Sequence, residues 1–299
     1  MNERHIRTPY LAGQWYEGES AALDRTVRRL TSDWAPSDDL GELVGGVVPH
    51  AGWVYSGGPA AKVFLALSER ARPDTFVILG AAHRYYERTA AAYPSGAWRS
   101  PLGDAVVDEE LVGAMAECGE GTISLSTQAH AGENSIEVQI PFIQSLRPDA
   151  MIAPVLVPSI ADGVRVGEAV GKAILSMPDK RAVVVASTDL THYGMGYGGA
   201  DHGPLPGAAP WLRENDHRII RLIEAMRAED IVPEANAHAN ACGPGAAAAA
   251  IVAARMMGAS WASVLEYTTS AEVMKERFTD RAVGYVGMVF ERKQDSAKR

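Results

Sequence analysis

Short, continuous apolar runs alternate along the chain with Gly-containing polar turns and with stretches of helical periodicity. Leu43 to Val48 (LVGGVV), Thr75 to Leu79 (TFVIL), Met151 to Val157 (MIAPVLV) and Ala182 to Ala186 (AVVVA) predict buried strands, and Ser263 to Tyr267 and Ala282 to Phe290 predict two late ones. Continuous runs, unlike strict alternation, imply strands covered on both faces. Helical patterns fall over Ala21 to Leu30, Ala60 to Leu67, Asp108 to Glu117, Ser135 to Leu146, Gly163 to Leu175, Trp211 to Met226 and Gly245 to Met257. The order is α/β throughout, which predicts a mixed, largely parallel central sheet flanked by helices, in one domain over residues 1–299. The stretch Tyr193 to Pro210 (YGMGYGGADHGPLPGAAP) reads as a surface loop or lid.

Hydrophobic residues make up 47% of the chain and charged residues 22%, which excludes intrinsic disorder for its bulk. The formal charge of −9 and the lack of a basic run argue against nucleic acid and anionic membranes as partners. Two cysteines cannot build a disulfide framework and suit a reducing compartment. The opening MNERHIRTPYLAGQW is broken by charges and is no signal peptide, and no apolar stretch resembles a membrane span. The expectation is a soluble, cytoplasmic protein.

Open α/β sheets bind ligands at the carboxyl ends of their strands. Three predicted strands lead into histidines: His50, His83 and His192, with Asp189 in the same turn as His192. The chain has only 8 histidines, so three on one rim point to a divalent metal, whose commonest side-chain ligand is imidazole. Cys242 stands in NACGPG before an alanine-rich helix, where a helix N-terminus is expected to lower the thiol pKa and favour the metal-binding thiolate. Cys118 sits at a predicted helix C-terminus and is the poorer candidate. In QAHAGENSIEVQIPF, helical spacing would put Glu133 and Glu137 on one face, as outer partners of a metal or as helix caps, with His130 nearby.

Blander readings compete with each of these. A lone histidine after a strand is commonly a hydrogen-bonded turn residue, Cys242 alone a small buried hydrophobe, and Glu133 a helix-start carboxylate. His192 with Asp189 reads equally as a structural pair. His5, His202, His217 and His238 lie in polar or terminal contexts and are expected to face solvent. Trp15, Tyr16, Trp53 and Tyr55 read as packing residues or as the wall of a cleft. No dinucleotide or P-loop glycine pattern is present, and no GxSxG elbow.

PHAGWVYSG, ILGAAH, ENSIEVQIPF, PVLVPS, STDLTHYG, the CGPG turn, YTTSA and the opening RTPYLAGQWY, in this order over nearly the whole chain, resemble the MEMO family. The resemblance implies a fold like that of the class III, LigB-type extradiol dioxygenases, which hold non-haem Fe(II) with two histidines and a glutamate. It implies a His/His/Cys metal site on His50, His83 and Cys242, with Asp189 and His192 beside the metal. It also implies an acidic position at Glu137 and association with AMMECR1-like and radical SAM proteins. The chain departs from the family pattern in having Asn134 where the middle motif often has histidine, with His130 four residues earlier, and in having Arg84 after His83.

Such a site would bind one side of a metal and leave the opposite positions open for catalysis. His192 is the acid/base candidate with Asp189 orienting it, and Tyr55 and Tyr193 are candidates to hydrogen-bond a small aromatic substrate. A thiolate in place of a carboxylate shifts preference from Fe2+ toward Cu or Zn and makes the ligand oxidisable. Three functions follow as expectations: an iron oxidoreductase of extradiol-dioxygenase type, a non-catalytic metal-binding scaffold using the cleft for a peptide or small partner, or a zinc hydrolase.

Overall fold

The computed structural model describes residues 5–160, 162–197, 201–276 and 278–292. Its centre is a nine-stranded mixed sheet. Four parallel strands form the middle, in the spatial order Glu42–Val48, Ala182–Ser187, Thr75–Ala81 and Met151–Val157. Val77 is level with Val184 on one side and Ala153 on the other. Nearly every residue of these strands is buried, as uninterrupted apolar runs require.

Two long antiparallel strands, Ala259–Thr269 and Arg281–Arg292, extend the sheet beyond Glu42–Val48. The short strands Ala90–Ala92 and Ile123–Leu125 extend the other side. A separate three-stranded sheet joins Ile6–Arg7, Ala97–Ser100 and Gly103–Val106. Helix Pro244–Met256 packs onto the sheet and Gly163–Leu175 packs against that helix, while Trp53–Ala66 packs over the two long antiparallel strands. The architecture is therefore the expected mixed α/β sheet with helical cover.

Parallel strands share one carboxyl rim. Val48, Ala81 and Ser187 end their strands there, and the next few residues bring His50, His83 and Asp189 to that rim. Cys242 arrives from elsewhere, in the turn just before helix Pro244–Met256. Gly243 lets that turn press onto the strand ends: a Cβ there would lie 2.9 Å from both Ala81 Cβ and the Ser187 carbonyl.

Several boundaries depart from expectation. The helix expected at Ala60 begins at Trp53, with Ser56, Gly57 and Pro59 buried within its first turns. Helix Ala228–His238 was not legible, because Pro233 lies within it. The helix expected from Ser135 is a 3-10 turn, Glu137–Gln139, leading into Ile140–Leu146. The stretch expected as a loop from Tyr193 starts as a strand, His192–Gly194, paired with Arg281–Arg292. Tyr193 is buried with Leu205, Ala208, Leu212, Ala271 and Ala282, so apolar packing ties down much of that loop; residues 198–200 lie outside the described residues.

Candidate metal centre

His50, His83 and Cys242 each bring one ligand atom to a common point, with all three atoms within 4.8 Å of one another. They are the one such group among the described residues. His50 Nε2 lies 3.1 Å from Cys242 Sγ, and the two imidazole centroids are 5.1 Å apart at 85°. Ligands at about 2.0–2.3 Å around a tetrahedral ion would stand about 3.3–3.8 Å apart, so the three atoms need only small shifts to share one.

The tautomers follow from the hydrogen bonds. Ser187 Oγ donates its one proton to the Ser135 carbonyl at 2.6 Å and accepts from Gln139 Nε2 at 3.1 Å. Its 3.0 Å contact with His50 Nδ1 must then be a bond donated by the imidazole. The proton therefore sits on Nδ1, and Nε2 carries the free lone pair facing the cysteine. His83 Nδ1 donates to Glu133 Oε1 at 2.8 Å, so the neutral ring carries its lone pair on Nε2, although burial, which lowers the His83 pKa, is outweighed by the Glu133 carboxylate, which raises it. A ligating histidine held through its other nitrogen is the usual metal-site arrangement.

Electrostatics favour neutral imidazole at His50, where burial and the neighbouring His83 push the pKa down to about 3. Burial alone would raise Glu133, but bonds from the His83 ring, the His83 N–H and the Ser135 N–H outweigh it and hold the carboxyl at about 2. Glu133 is thus a carboxylate anchor for His83, and it also accepts from the Asn134 N–H.

The expectation for Cys242 is reversed. The thiol is pushed up, not down, because burial and the adjacent Asp189 carboxylate both penalise a thiolate. The helix offers its sulfur little compensation: the N–H of Gly243 goes to Thr188 Oγ1, and the N–H reaching the sulfur is that of Asp189, at 3.2 Å. A cation at this point would reverse the balance, since a coordinating thiol is deprotonated outright.

The site opens into a cleft of about 1310 Å³. Asn134, Asp189, His192 and Tyr55 line it, as do Tyr197 and Tyr285, which sequence reasoning missed. Nothing in the periodicity of Ala282 to Phe290 marks Tyr285 as more than a buried strand residue. His192 Nδ1 donates to the Leu190 carbonyl at 3.1 Å, so its Nε2 is bare. Asp189 Oδ1 instead accepts the N–H of His50 at 2.7 Å. The Asp189 carboxylate therefore supports His50, and a carbonyl, not Asp189, fixes the His192 ring. Burial pushes the Asp189 pKa up against those backbone bonds.

The aromatic quartet divides. All four line the cleft, but Tyr16 and Trp53 are otherwise buried, with Trp53 stacked on Phe142 at 3.9 Å, while Trp15 and Tyr55 are each 38% exposed.

Other expected residues lie elsewhere. His130 is buried between Tyr93 and Trp98 with Nε2 at 3.0 Å from the Ala91 carbonyl, so it does not replace the missing histidine at Asn134. Glu137 does not share a helix face with Glu133. Its carboxylate pairs with Arg7 at 2.7 Å and accepts from the N–H groups of Tyr10 and Leu11 and from Tyr16 Oη. It thus ties the N-terminal segment, and not a ligand histidine, to the segment that carries Glu133. Tyr193 points away from the cleft and donates to the Gly203 carbonyl. His217 is half-buried against Tyr267, while His5, His202 and His238 are exposed as expected. Cys118 is exposed and outside the cluster.

No helix among the described residues is long and apolar enough to cross a membrane. At the level of fold, the chain is similar to the crystal structure of uncharacterized protein JW3007 from Escherichia coli K12, with a TM-score of 0.51 and 12% identity, covering 81% of this chain and 99% of that one. It is 38% identical over 294 residues to a MEMO1 family protein of Thermococcus onnurineus, covering 95% of this chain and 99% of that protein. It is 39% identical over 293 residues to a MEMO1 family protein of Pyrococcus furiosus, covering 95% and 98%. The family model described as Memo-like protein matches residues 7–289. A family match over residues 7–289, with relatives 38–39% identical over nearly their whole lengths, shows that the chain belongs to the Memo-like protein family.

Proposed function

We propose that the protein is a metal-dependent oxidoreductase that holds iron through His50 Nε2, His83 Nε2 and Cys242 Sγ and acts on a small aromatic substrate in the adjoining cleft, in the manner of extradiol dioxygenases. The observation that carries this reading is the convergence of the three candidate ligand atoms within 4.8 Å, with His50 and His83 lining an open cleft. Three protein ligands on one side leave the other coordination positions to substrate and oxidant. When bound, iron supplies the electron exchange between an electron-rich ring and dioxygen that side chains alone lack.

The side chains account for the remainder. His192, with Nδ1 spent on Leu190, offers a bare Nε2 to take a proton from a substrate hydroxyl. The nearby Asp189 carboxylate stabilises the imidazolium so formed. Tyr55, Tyr285 and Asn134 offer hydrogen bonds to substrate oxygens, and Trp15 offers a flat apolar wall. A zinc hydrolase is less well served, because Glu133, the carboxylate beside a ligand, is spent on His83 and the backbone around it. The test is anaerobic Fe(II) loading followed by oxygen uptake with a panel of catechols. The reading expects one O2 consumed per ring opened, and loss of uptake in His192→Ala with iron retained. Bound iron with no uptake across the panel would overturn the oxidoreductase reading in favour of a metal-dependent binding cleft.

A further inference from the structure

Helix Ala209–Glu224 has an apolar buried stripe of Leu212, Ile219, Ile220 and Ile223, interrupted by two adjacent polar residues, Asn215 and Asp216. Both are almost completely buried. Buried polar groups are costly unless hydrogen-bonded, so their partners indicate their use.

Apart from Tyr267, whose hydroxyl donates to Asp216 Oδ2 at 2.8 Å, those partners lie on or beside two of the turns that build the site. Asn215 Nδ2 donates at 3.0 Å to Thr191 Oγ1 and at 3.0 Å to the His238 carbonyl. Two acceptors on one nitrogen fix the orientation of the amide, because a flipped group would set its oxygen against the His238 carbonyl. The main-chain carbonyl of Asn215 accepts from Asn240 Nδ2 at 2.9 Å. Asp216 Oδ1 accepts the N–H of Thr191 at 2.9 Å. Gly284 leaves room for this carboxylate, since a Cβ there would fall 1.9 Å from Asp216 Oδ2.

Thr191 lies between Asp189 and His192, and His238 and Asn240 lead directly into Cys242. At their front ends the two turns already hold each other: the Cys242 N–H donates to the Asp189 carbonyl at 3.2 Å, and the Asp189 N–H reaches Cys242 Sγ. Asn215 ties the same two turns together from behind.

We infer that Asn215 is a positioning residue that sets the Cys242 loop against the Asp189–His192 turn and so holds the thiol in register with the two histidines. The inference rests on the reading that His50, His83 and Cys242 share a metal. A group behind a ligand changes metal affinity without touching the metal.

The test is titration with Co2+, whose thiolate-to-metal charge-transfer absorption reports cysteine ligation directly. Asn215→Asp keeps the size of the side chain and removes both donated bonds. The expected result is a loss of Co2+ affinity of about 10–100-fold, with a weakened charge-transfer band. If that variant does not fold, Thr191→Val, which removes the hydroxyl acceptor at nearly constant volume, is read in its place, with the same loss expected in smaller degree. A folded variant with lowered thermal stability but unchanged affinity and band would overturn the inference and leave Asn215 as a structural residue. Wild-type protein with no such band would overturn the metal reading itself, and this inference with it.

Discussion

The ring of His50 is bonded to Ser187 in only one possible direction: Ser187 Oγ spends its proton on the Ser135 carbonyl, so His50 Nδ1 must donate to it. The free lone pair of His50 is thereby turned toward Cys242 before any ion arrives. Pre-set ligand geometry of this kind is what separates a metal site from a chance meeting of side chains.

Ser187→Ala removes the acceptor that fixes this tautomer and leaves a buried imidazole N–H unpaired. Metal affinity should fall about 10–100-fold, and unfolding free energy by about 1–3 kcal/mol. Competition titration with a chromophoric chelator and urea unfolding measure the two effects.

Glu133 has the corresponding role for His83, with the difference that it is a charge. Glu133→Gln keeps the shape but sets amide protons against the N–H donors around it. The expected outcome is a metal affinity about 10–100-fold weaker, read in the same competition assay. Unchanged affinity would mean that His83 needs no anchor.

Glu137 provides the contrast within the same segment. Its pairing with Arg7 is buried, with side-chain exposures of 2% and 9%. Glu137→Ala leaves the Arg7 charge uncompensated and should cost about 3–5 kcal/mol. Metal affinity should stay near wild type in the folded protein, because the carboxylate binds the N-terminal segment and not a ligand histidine. Denaturant unfolding alongside the metal titration separates this from the Glu133 result.

His130 predicts a pH dependence. Burial and the nearby Arg7 lower its pKa from 6.5 to about 3. Above pH 6.5 the ring is neutral in both folded and unfolded chains, so its contribution to stability is fully present. As the pH falls from 6.5 toward about 3, the unfolded chain takes up a proton that the folded chain refuses, and stability declines. The expected slope from this residue approaches about 1.4 kcal/mol per pH unit. Urea unfolding of wild type and His130→Asn at stepped pH tests it: the variant should lose less stability between about pH 7 and about pH 5.

The middle of the fold was legible in the sequence because it is made of strands buried on both faces, which leave uninterrupted runs such as TFVIL and AVVVA. The short strands Ala90–Ala92 and Gly103–Val106 left no such trace, being too brief to establish a period. The convergence of His50, His83 and Cys242 was legible because each follows a strand or turn whose local pattern is strong. The support around them was not. Glu133 looked like a helix start, and only tertiary structure sets it against His83, fifty residues away in the chain. Helix position suggested a low pKa for Cys242, but burial and Asp189 decide it, and neither is written locally. Asn134 and His130 show the same limit: proximity along the chain suggested that one replaces the other, yet one lines the cleft and the other sits in an aromatic core.

The central claim is that two imidazoles and one thiol share an ion. It is tested most directly by determining the metal content of protein purified without oxygen, together with X-ray absorption at the edge of the metal found, for wild type and Cys242→Ser. The account predicts one equivalent per chain with sulfur and imidazole nitrogen in its coordination shell, and loss of the sulfur in the variant. Protein that binds no stoichiometric metal, or a shell without sulfur that is the same in both proteins, would contradict it.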